Sequence, residues 1–405
     1  MYRNNQILTA RESFNSLKTK IKKEVQNELL KRAYMSDDDT IKLIDRHIRE
    51  IGHEIHIDIN DKIRLRKEIF NAIRKLDVLQ EFLDDDTVSE IMVNGTDNIF
   101  VERNGRLEKT DKFFDSEEQL FSIIQKISSY ANREVTVSNP ISDGRLSDGS
   151  RVNVVLSPIS LEGHILTIRR FPNEPMNANK LIESGAVTEE IMELLSRLVS
   201  AGYNILISGS TGSGKTTMLN ALSGFIPKDE RIVTIEDAAE LKIIGIENLV
   251  RLETRNSNMS DSKEVTMRDL IKAALRMRPD RVVVGEVRGA EAIDMLQAFC
   301  VGQDGSMSTI HANSAKDALT RLEMLLLLNM DIPLKALRKQ ISSGVDIVIQ
   351  LSRLKDKSRK ITEIVEVLGS DDNDYVVNPL YRFENDSFIK ISDIKNIYKL
   401  EKAGI

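Results

Sequence analysis

Eight consecutive residues, 209–216, constrain the fold of this chain more than any other segment. They read GSTGSGKT and fit the phosphate-loop pattern G-x-x-x-x-G-K-[ST]. The strand-like residues 204–207 precede them, and apolar residues at helical spacing follow at Met218, Leu219 and Leu222. The alternative, an accidental Gly/Ser turn, leaves both flanking elements unexplained. The segment therefore predicts a strand, a phosphate-binding loop and a helix in succession.

The residue types in this loop suit ATP with Mg²⁺. Glycines let backbone N–H groups converge on phosphate oxygens at a helix N-terminus, and Lys215 supplies a positive charge for the β and γ phosphates. The Thr216 hydroxyl is a candidate Mg²⁺ ligand. The predicted nucleotide-binding residues are Gly209, Ser210, Thr211, Gly212, Ser213, Gly214, Lys215, Thr216 and Thr217.

Three later strand-like runs end in polar side chains. Residues 232–235 lead into Glu236, residues 281–285 into Glu286, and residues 307–310 into His311. In open parallel sheets the ligand binds beyond the carboxyl ends of the strands. We therefore expect these three endings to line one cleft with the phosphate loop.

Carboxylates beside Mg²⁺ are the chemistry that ATP hydrolysis needs. We expect Glu286 to contact Mg²⁺ through water and Glu236 to orient or activate the attacking water, although the two roles are interchangeable. Each is alternatively a helix N-cap or a surface ion pair. For His311 we favour γ-phosphate sensing, with a structural hydrogen bond or proton transfer as alternatives. These three residues are the predicted catalytic set.

The organisation of the chain indicates an α/β protein. Residues 1–76 carry three amphipathic stripes and predict a helical bundle, and residues 77–171 carry short β-rich runs and one helix, typical of an α+β domain. Residues 172–185 contain two prolines and predict a linker. Residues 186–385 alternate strand, turn and helix, which predicts a mainly parallel sheet. Residues 386–405 remain as a C-terminal tail.

Composition excludes several other classes of protein. The 405 residues are 41% hydrophobic with a net charge of −6, which indicates an ordinary globular chain. The single cysteine, Cys300, allows no intrachain disulfide and no four-thiolate zinc site, and it fits a reducing cytoplasm. We find no signal peptide, and the longest aliphatic run, residues 324–328, is too short to span a bilayer. We expect no direct membrane insertion, so any membrane association would go through a partner.

Several arginines lie outside the phosphate loop. An arginine offered by a neighbouring subunit to a γ-phosphate accelerates hydrolysis roughly 10³- to 10⁵-fold. Each one is individually also compatible with a solvated or structural role. The candidates are Arg145, Arg151, Arg169, Arg170, Arg251 and Arg255.

Together the motifs resemble those of the type II/IV secretion ATPases. Residues 209–216, 234–237 (TIED), 275–289 and 308–313 (STIHAN) are similar to the Walker A, Asp-box, Walker B and His-box elements of that family. Residues 91–95 (IMVNG) and 143–153 (DGRLSDGSRVN) resemble the CpaF/TadA branch, which powers Flp (Tad) pilus assembly and related machines. The likeness extends from about residue 14 to 385.

This resemblance implies a RecA-like ATPase domain preceded by a PAS-like α+β domain. It also implies a homo-hexameric ring at the cytoplasmic face of the inner membrane, bound peripherally through a platform protein. ATP would bind between the two domains, with trans-acting arginines carried over to Arg145, Arg151, Arg169 and Arg255.

Two segments depart from the family pattern. Residues 301–305 read VGQDG where the family has TGHDG, so Gln303 replaces what the resemblance implies is an active-site histidine. Residues 253–258 lack the usual prolines, which bears on the role of Arg255.

The leading hypothesis is a hexameric motor ATPase for pilus assembly or secretion. An assembly module that binds ATP with negligible turnover is an alternative, but such a module does not need both Glu236 and Glu286. A RecA-like translocase on nucleic acid is a third, and it would need a basic loop with interleaved aromatic residues, which the sequence lacks. We therefore expect no nucleic-acid partner.

Overall fold

The computed structural model describes residues 2–31, 35–53, 56–103, 105–130, 135–146, 148–170, 177–255, 264–371 and 373–405, with side chains from residue 14 onward. The chain forms two compact units, Met1–Asn173 and Glu174–Ile405. The predicted linker lies partly outside the described residues, and its remainder contains a short helix, α6 (Ala178–Glu183).

The first unit begins with three helices, α1 (Tyr2–Leu29), α2 (Asp37–Gly52) and α3 (Ile59–Arg74). Their apolar stripes bury one another, with Ile21, Ile44 and Leu65 fully enclosed. A polar residue begins each of the second and third helices: the side chains of Ser36 and Asp58 accept hydrogen bonds from the first-turn N–H groups of α2 and α3.

A six-stranded antiparallel sheet follows, with α4 (Gln80–Leu83) before it and α5 (Glu117–Tyr130) packed against it. The strand order is β3-β2-β1-β6-β5-β4. The sequence pattern missed β4, whose polar residues show no clear apolar alternation. The strands are β1 (Val88–Asn94), β2 (Asn98–Arg103), β3 (Arg106–Lys109), β4 (Ile141–Arg145), β5 (Arg151–Val155) and β6 (Ile165–Arg169).

The second unit is built on a nine-stranded sheet in the order β15-β14-β13-β12-β7-β11-β10-β8-β9. The six strands from β12 to β9 are parallel, and the other three pair antiparallel. The strands are β7 (Ile205–Gly209), β8 (Ile232–Glu236), β9 (Leu249–Glu253), β10 (Arg281–Val287), β11 (Met307–Ile310), β12 (Ile347–Arg353), β13 (Arg359–Ser370), β14 (Tyr375–Glu384) and β15 (Ser387–Lys390).

Helices cover both faces of this sheet, as near-continuous hydrophobic strands require. One core contains side chains of α7 and α8, and the other contains side chains of α9 to α12. The helices are α7 (Glu189–Ser200), α8 (Lys215–Ser223), α9 (Met267–Ala274), α10 (Glu291–Cys300), α11 (Ala315–Leu327), α12 (Leu334–Gly344) and α13 (Tyr398–Ala403).

Residues 386–405, which the sequence left as a tail, complete this unit. β15 pairs with β14, and α13 packs near α7 with Leu400 buried. Lys399 of α13 donates hydrogen bonds to Asp346 at 2.8 Å and to the carbonyl of Gly202 at 3.0 Å. These contacts join the end of the chain to the sheet.

Among the described residues, no helix combines the length and the apolar character that crossing a bilayer requires.

Candidate nucleotide-binding and catalytic site

The phosphate loop joins β7 to α8 in a conformation that depends on glycine. Gly212 and Gly214 have φ angles of +73° and +98°, in the left-handed region that favours glycine. A Cβ atom on Gly209 would lie 2.4 Å from the Ser213 Oγ atom and 2.6 Å from the carbonyl oxygen of Leu351. The loop is therefore too tight for a larger residue at position 209.

The loop fits a bound phosphate group. The Ser213 hydroxyl is buried, and among the described residues it has no hydrogen-bond partner. Backbone N–H groups at the start of α8 are free of intrahelical bonds, as at any helix N-terminus. A phosphate would accept hydrogen bonds from both kinds of donor. The other predicted residues occupy the same turn: Ser210 and Thr211 are exposed, and Thr216 and Thr217 are half-buried in the first turn of α8.

Lys215 is buried within this loop, and its ammonium group contacts backbone carbonyls of the loop and the ring of His311. Nζ donates hydrogen bonds to the carbonyl oxygens of Gly209 at 3.1 Å and Ser210 at 3.3 Å. It also lies 3.2 Å from Nδ1 of His311. The lysine and the histidine predicted from separate motifs are thus direct neighbours.

His311 connects Lys215 to Glu286. Its Nε2 atom lies 2.5 Å from Glu286 Oε1, and the other carboxylate oxygen accepts a hydrogen bond from Arg288 at 2.6 Å. Burial lowers the pKa of His311, and the Lys215 charge lowers it further. A neutral ring with its proton on Nε2 is compatible with both neighbours, since Nδ1 then accepts a hydrogen bond from Lys215, while Glu286 Oε1 makes no hydrogen bond among the described residues.

The sheet brings the predicted strand endings together. β7, β11, β10 and β8 are successive neighbours, so their carboxyl ends meet at one edge. Thr309 Oγ1 on β11 donates to the carbonyl of Gly285 on β10 at 2.8 Å, and a Cβ atom on Gly285 would lie 3.0 Å from Glu236 Cγ. The missing side chain at Gly285 therefore leaves room for the side chain of Glu236.

Glu236 is buried at the end of β8. Its Oε1 atom accepts hydrogen bonds from the backbone N–H groups of Glu240 and Leu241, both at 2.9 Å. Burial raises the pKa of Glu236 to about 7, and those two hydrogen bonds oppose the rise. The carboxyl group thus titrates near neutral pH in a position fixed by the following loop.

Three of the predicted arginines form one row across the sheet of the first unit. Arg145 lies opposite Arg151, which lies opposite Arg169 on the next strand. Arg169 in turn lies opposite Glu90. Directly opposed residues share a face of an antiparallel sheet, and opposed like charges destabilise it. This concentration of positive charge favours binding of an anion.

Arg255 lies in the second unit, just after β9. Its backbone forms a two-hydrogen-bond bridge with Val265, and its side chain is exposed. Most of the proline-free segment that follows it lies outside the described residues.

The structure corrects our interpretation of Gln303. Its carbonyl accepts a hydrogen bond from the Ser306 hydroxyl at 2.7 Å, in the turn before β11 starts at Met307. His311 follows the other end of that strand. Because a strand rises about 3.3 Å per residue, Gln303 and His311 lie near opposite ends of β11: Gln303 near the amino end and His311 at the carboxyl end. The substitution at 303 therefore removes no histidine from the site around Lys215.

The sequence analysis did not identify Arg288, which donates a hydrogen bond to the Glu286 carboxylate. The Glu286 hydrogen bond is the main cause of the raised pKa of Arg288, and burial opposes it. Its position two residues beyond Glu286, where β10 ends, is the signal that would have identified it.

Comparisons with known proteins identify the family. The profile described as "Type II/IV secretion system protein" matches residues 73–384. The chain belongs to the type II/IV secretion system protein family. Two proteins similar to this chain are the conjugal transfer protein TrbB of Rhizobium radiobacter, 33% identical, and the type IV secretion system protein PtlH of Bordetella pertussis, 32% identical. The TrbB match covers 78% of this chain and 97% of TrbB, and the PtlH match covers 69% and 89%.

The fold also matches solved structures. The crystal structure of the Legionella pneumophila ATPase DotB aligns with a TM-score of 0.52 at 21% identity, covering 71% of this chain and 80% of DotB. The chain thus has an N-terminal domain followed by a core with a RecA-like fold, which confirms the predicted α/β class.

Proposed function

We propose that the protein is a hexameric motor ATPase that powers assembly of a Flp/Tad-like type IV pilus, or secretion, through an inner-membrane platform protein. The observation that carries the proposal is the continuous contact from Lys215 through His311 to Glu286, since these residues come from three strand ends. A module that only holds nucleotide needs the loop but not the carboxylates. The family of this chain and its similarity to TrbB and PtlH support a role in conjugal transfer or secretion.

The residues of the loop fit Mg²⁺·ATP. Thr216, in the first turn of α8, would hold Mg²⁺ through its hydroxyl, and Glu286 would do so through water. When bound, Mg²⁺ neutralises charge on the β and γ phosphates. Lys215 would bind phosphate oxygens with its ammonium group, which in this structure bonds to backbone carbonyls of the loop.

Glu236 would act on the attacking water, and His311 would sense the bound phosphate. Glu236, with a pKa of about 7, would take a proton from the attacking water, because a general base works best near the operating pH. His311 lies 3.2 Å from the Lys215 ammonium group, so a phosphate that draws Lys215 away changes the contacts of the ring. His311 would thus report nucleotide occupancy to Glu286.

The arginine row would act on the nucleotide of a neighbouring subunit. Arg145, Arg151 and Arg169 place three positive charges on one face of the sheet, and Arg255 would add a fourth from the second unit. Such a site would be complete only in a ring at the cytoplasmic face of the membrane. Movement of one domain against the other would transmit work to the platform.

A subunit-mixing experiment tests the shared site. Lys215→Ala removes nucleotide binding from its own loop, and Arg151→Gln removes the arginine offered to a neighbour. Each variant alone should be inactive, but mixed rings should regain ATPase activity at sites that combine an intact loop with an intact arginine. A mixture of Lys215→Ala with Glu286→Gln is the control, since its lesions lie in the same site, and it should stay inactive.

Dilution provides a second test. Specific ATPase activity should fall as the protein concentration falls, and sedimentation should show hexamers with ATP and Mg²⁺. Full activity in a monomeric chain, or no recovery in the Lys215→Ala and Arg151→Gln mixture, contradicts the shared site. Nucleotide binding with negligible turnover at all concentrations favours the assembly-module alternative.

A further inference from the structure

The hairpin formed by β12 and β13 lies directly against the phosphate loop. β12 pairs in parallel with β7, and Leu351 is the partner of Gly209. The Leu351 carbonyl oxygen would lie 2.6 Å from a Cβ atom on Gly209, and Arg359 Cδ would lie 3.6 Å from one on Gly214. Two of the loop glycines thus face this hairpin.

Arg359, the first residue of β13, bonds a third loop glycine. Its Nε atom donates a hydrogen bond to the carbonyl oxygen of Gly212 at 3.0 Å. A guanidinium group has five N–H donors, and this bond uses one of them. The side chain is exposed, so the rest of the group is accessible to a ligand. The bond fixes the tip of the loop whose N–H groups bind phosphate.

The charge of the hairpin points to an anionic ligand. Arg353 is the direct cross-strand partner of Arg359, although opposed like charges destabilise a strand pair. The two lie on the same face as Leu351 and Ile361, which belong to the core shared with α7 and α8.

We propose that Arg359 is a positioning residue of the nucleotide site, which holds the tip of the phosphate loop and adds a positive charge beside the polyphosphate of the nucleotide. The inference rests on the proposed function and extends it to a residue 147 positions from Gly212 in the chain. Both contributions act at the phosphate end of the ligand.

Isothermal titration calorimetry with Mg²⁺·ADP and with inorganic tripolyphosphate tests the role. Arg359→Gln should weaken both ligands about 10-fold or more, by a similar factor, as loss of one charge-assisted contact predicts. Arg359→Lys keeps the charge but not the planar fork, so it should restore part of the affinity. Lys355→Gln is the control, because it removes one exposed charge from the same hairpin, and its affinity should stay within about twofold of wild type.

The outcomes separate this inference from the proposed function. Wild-type affinity in Arg359→Gln overturns the inference, as does an equal loss in Lys355→Gln, which would assign the effect to general charge. A loss for ADP without a loss for tripolyphosphate overturns it too. A wild-type chain that binds neither ligand instead overturns the proposed function. Thermal melting of each variant checks that it folds. If Arg359→Gln does not fold, Arg359→Lys provides the test instead, and wild-type affinity in that variant overturns the positioning role.

Discussion

Replacing Glu286 by glutamine tests the centre of the proposed catalytic site. The Glu286 carboxylate lies against two nitrogen atoms: Oε2 accepts a hydrogen bond from an Arg288 terminal nitrogen at 2.6 Å, and Oε1 lies 2.5 Å from His311 Nε2. A carboxamide has one acceptor oxygen and one NH₂ group, so one of these two nitrogen atoms would face an NH₂ group. Glu286→Gln therefore changes charge and hydrogen bonding while conserving shape.

The expected magnitude follows from this change. Removing one preorganised electrostatic group from an active site costs roughly 3 to 4 kcal/mol of transition-state stabilisation. Turnover should therefore fall about 100- to 1,000-fold, since 1.36 kcal/mol corresponds to a factor of 10. The phosphate loop, Lys215 included, is unchanged, so the dissociation constant for Mg²⁺·ADP should change only a few-fold.

A coupled ATPase assay at saturating ATP measures turnover, and calorimetry with Mg²⁺·ADP measures binding. Glu247→Gln is the matched control, because this exposed glutamate lies in the same unit and makes the same change in charge. Near-wild-type turnover in Glu286→Gln would refute the catalytic assignment. Equal losses of turnover and binding would show that Glu286 maintains the loop instead.

Three further predictions follow from the same unit. Lys215→Ala should abolish nucleotide binding in calorimetry, and retained binding would contradict the phosphate-loop assignment. Burial raises the pKa of Glu236 from 4.5 to about 7, so the folded chain keeps a proton that the unfolded chain releases, and wild-type stability falls as pH rises through this range. Glutamine at position 236 does not titrate, so the stability of Glu236→Gln should lack this loss. The free energy of unfolding of the variant minus that of wild type should rise by about 3 kcal/mol between pH 4.5 and 7, measured by denaturant titration. A difference that does not change with pH would refute this. Gly305→Ala should lower the melting temperature more than Gly302→Ala. Both glycines have a positive φ angle, so both substitutions strain the backbone. A Cβ atom on Gly305 would also lie 2.5 Å from Nη1 of the buried Arg281, whereas a Cβ atom on Gly302 would meet no atom within 4 Å. Equal melting temperatures would contradict the steric argument.

The local patterns predicted much of the fold and placed several site residues together. The phosphate loop follows a buried strand and starts a helix, and Glu236, Glu286 and His311 occupy neighbouring strand ends. These features were predictable because each depends on a short segment and on the direction of parallel strands. The functional roles of these residues stay predictions until the variants are measured.

Other features depend on contacts between distant segments. β4 is polar and becomes a strand through its pairing with β5, and β15 and α13 are held by β14, Asp346 and Gly202. The sequence interpretation placed Gln303 in the site because it assigned the residue to a motif without the geometry of the strand that follows. The structure places Gln303 near the amino end of β11, away from the carboxyl ends of the strands where Lys215 and His311 lie.

By itself, the sequence determined a glycine-rich turn between a strand and a helix on a mainly parallel α/β sheet, because glycine spacing and hydrophobic periodicity act within a few residues. Only the tertiary structure decided which side chains meet, such as Lys215 with His311 and Arg359 with Gly212. Those pairs are separated by about a hundred residues or more, and no local propensity encodes their distance. Their contacts arise from the order in which strands assemble into the sheet.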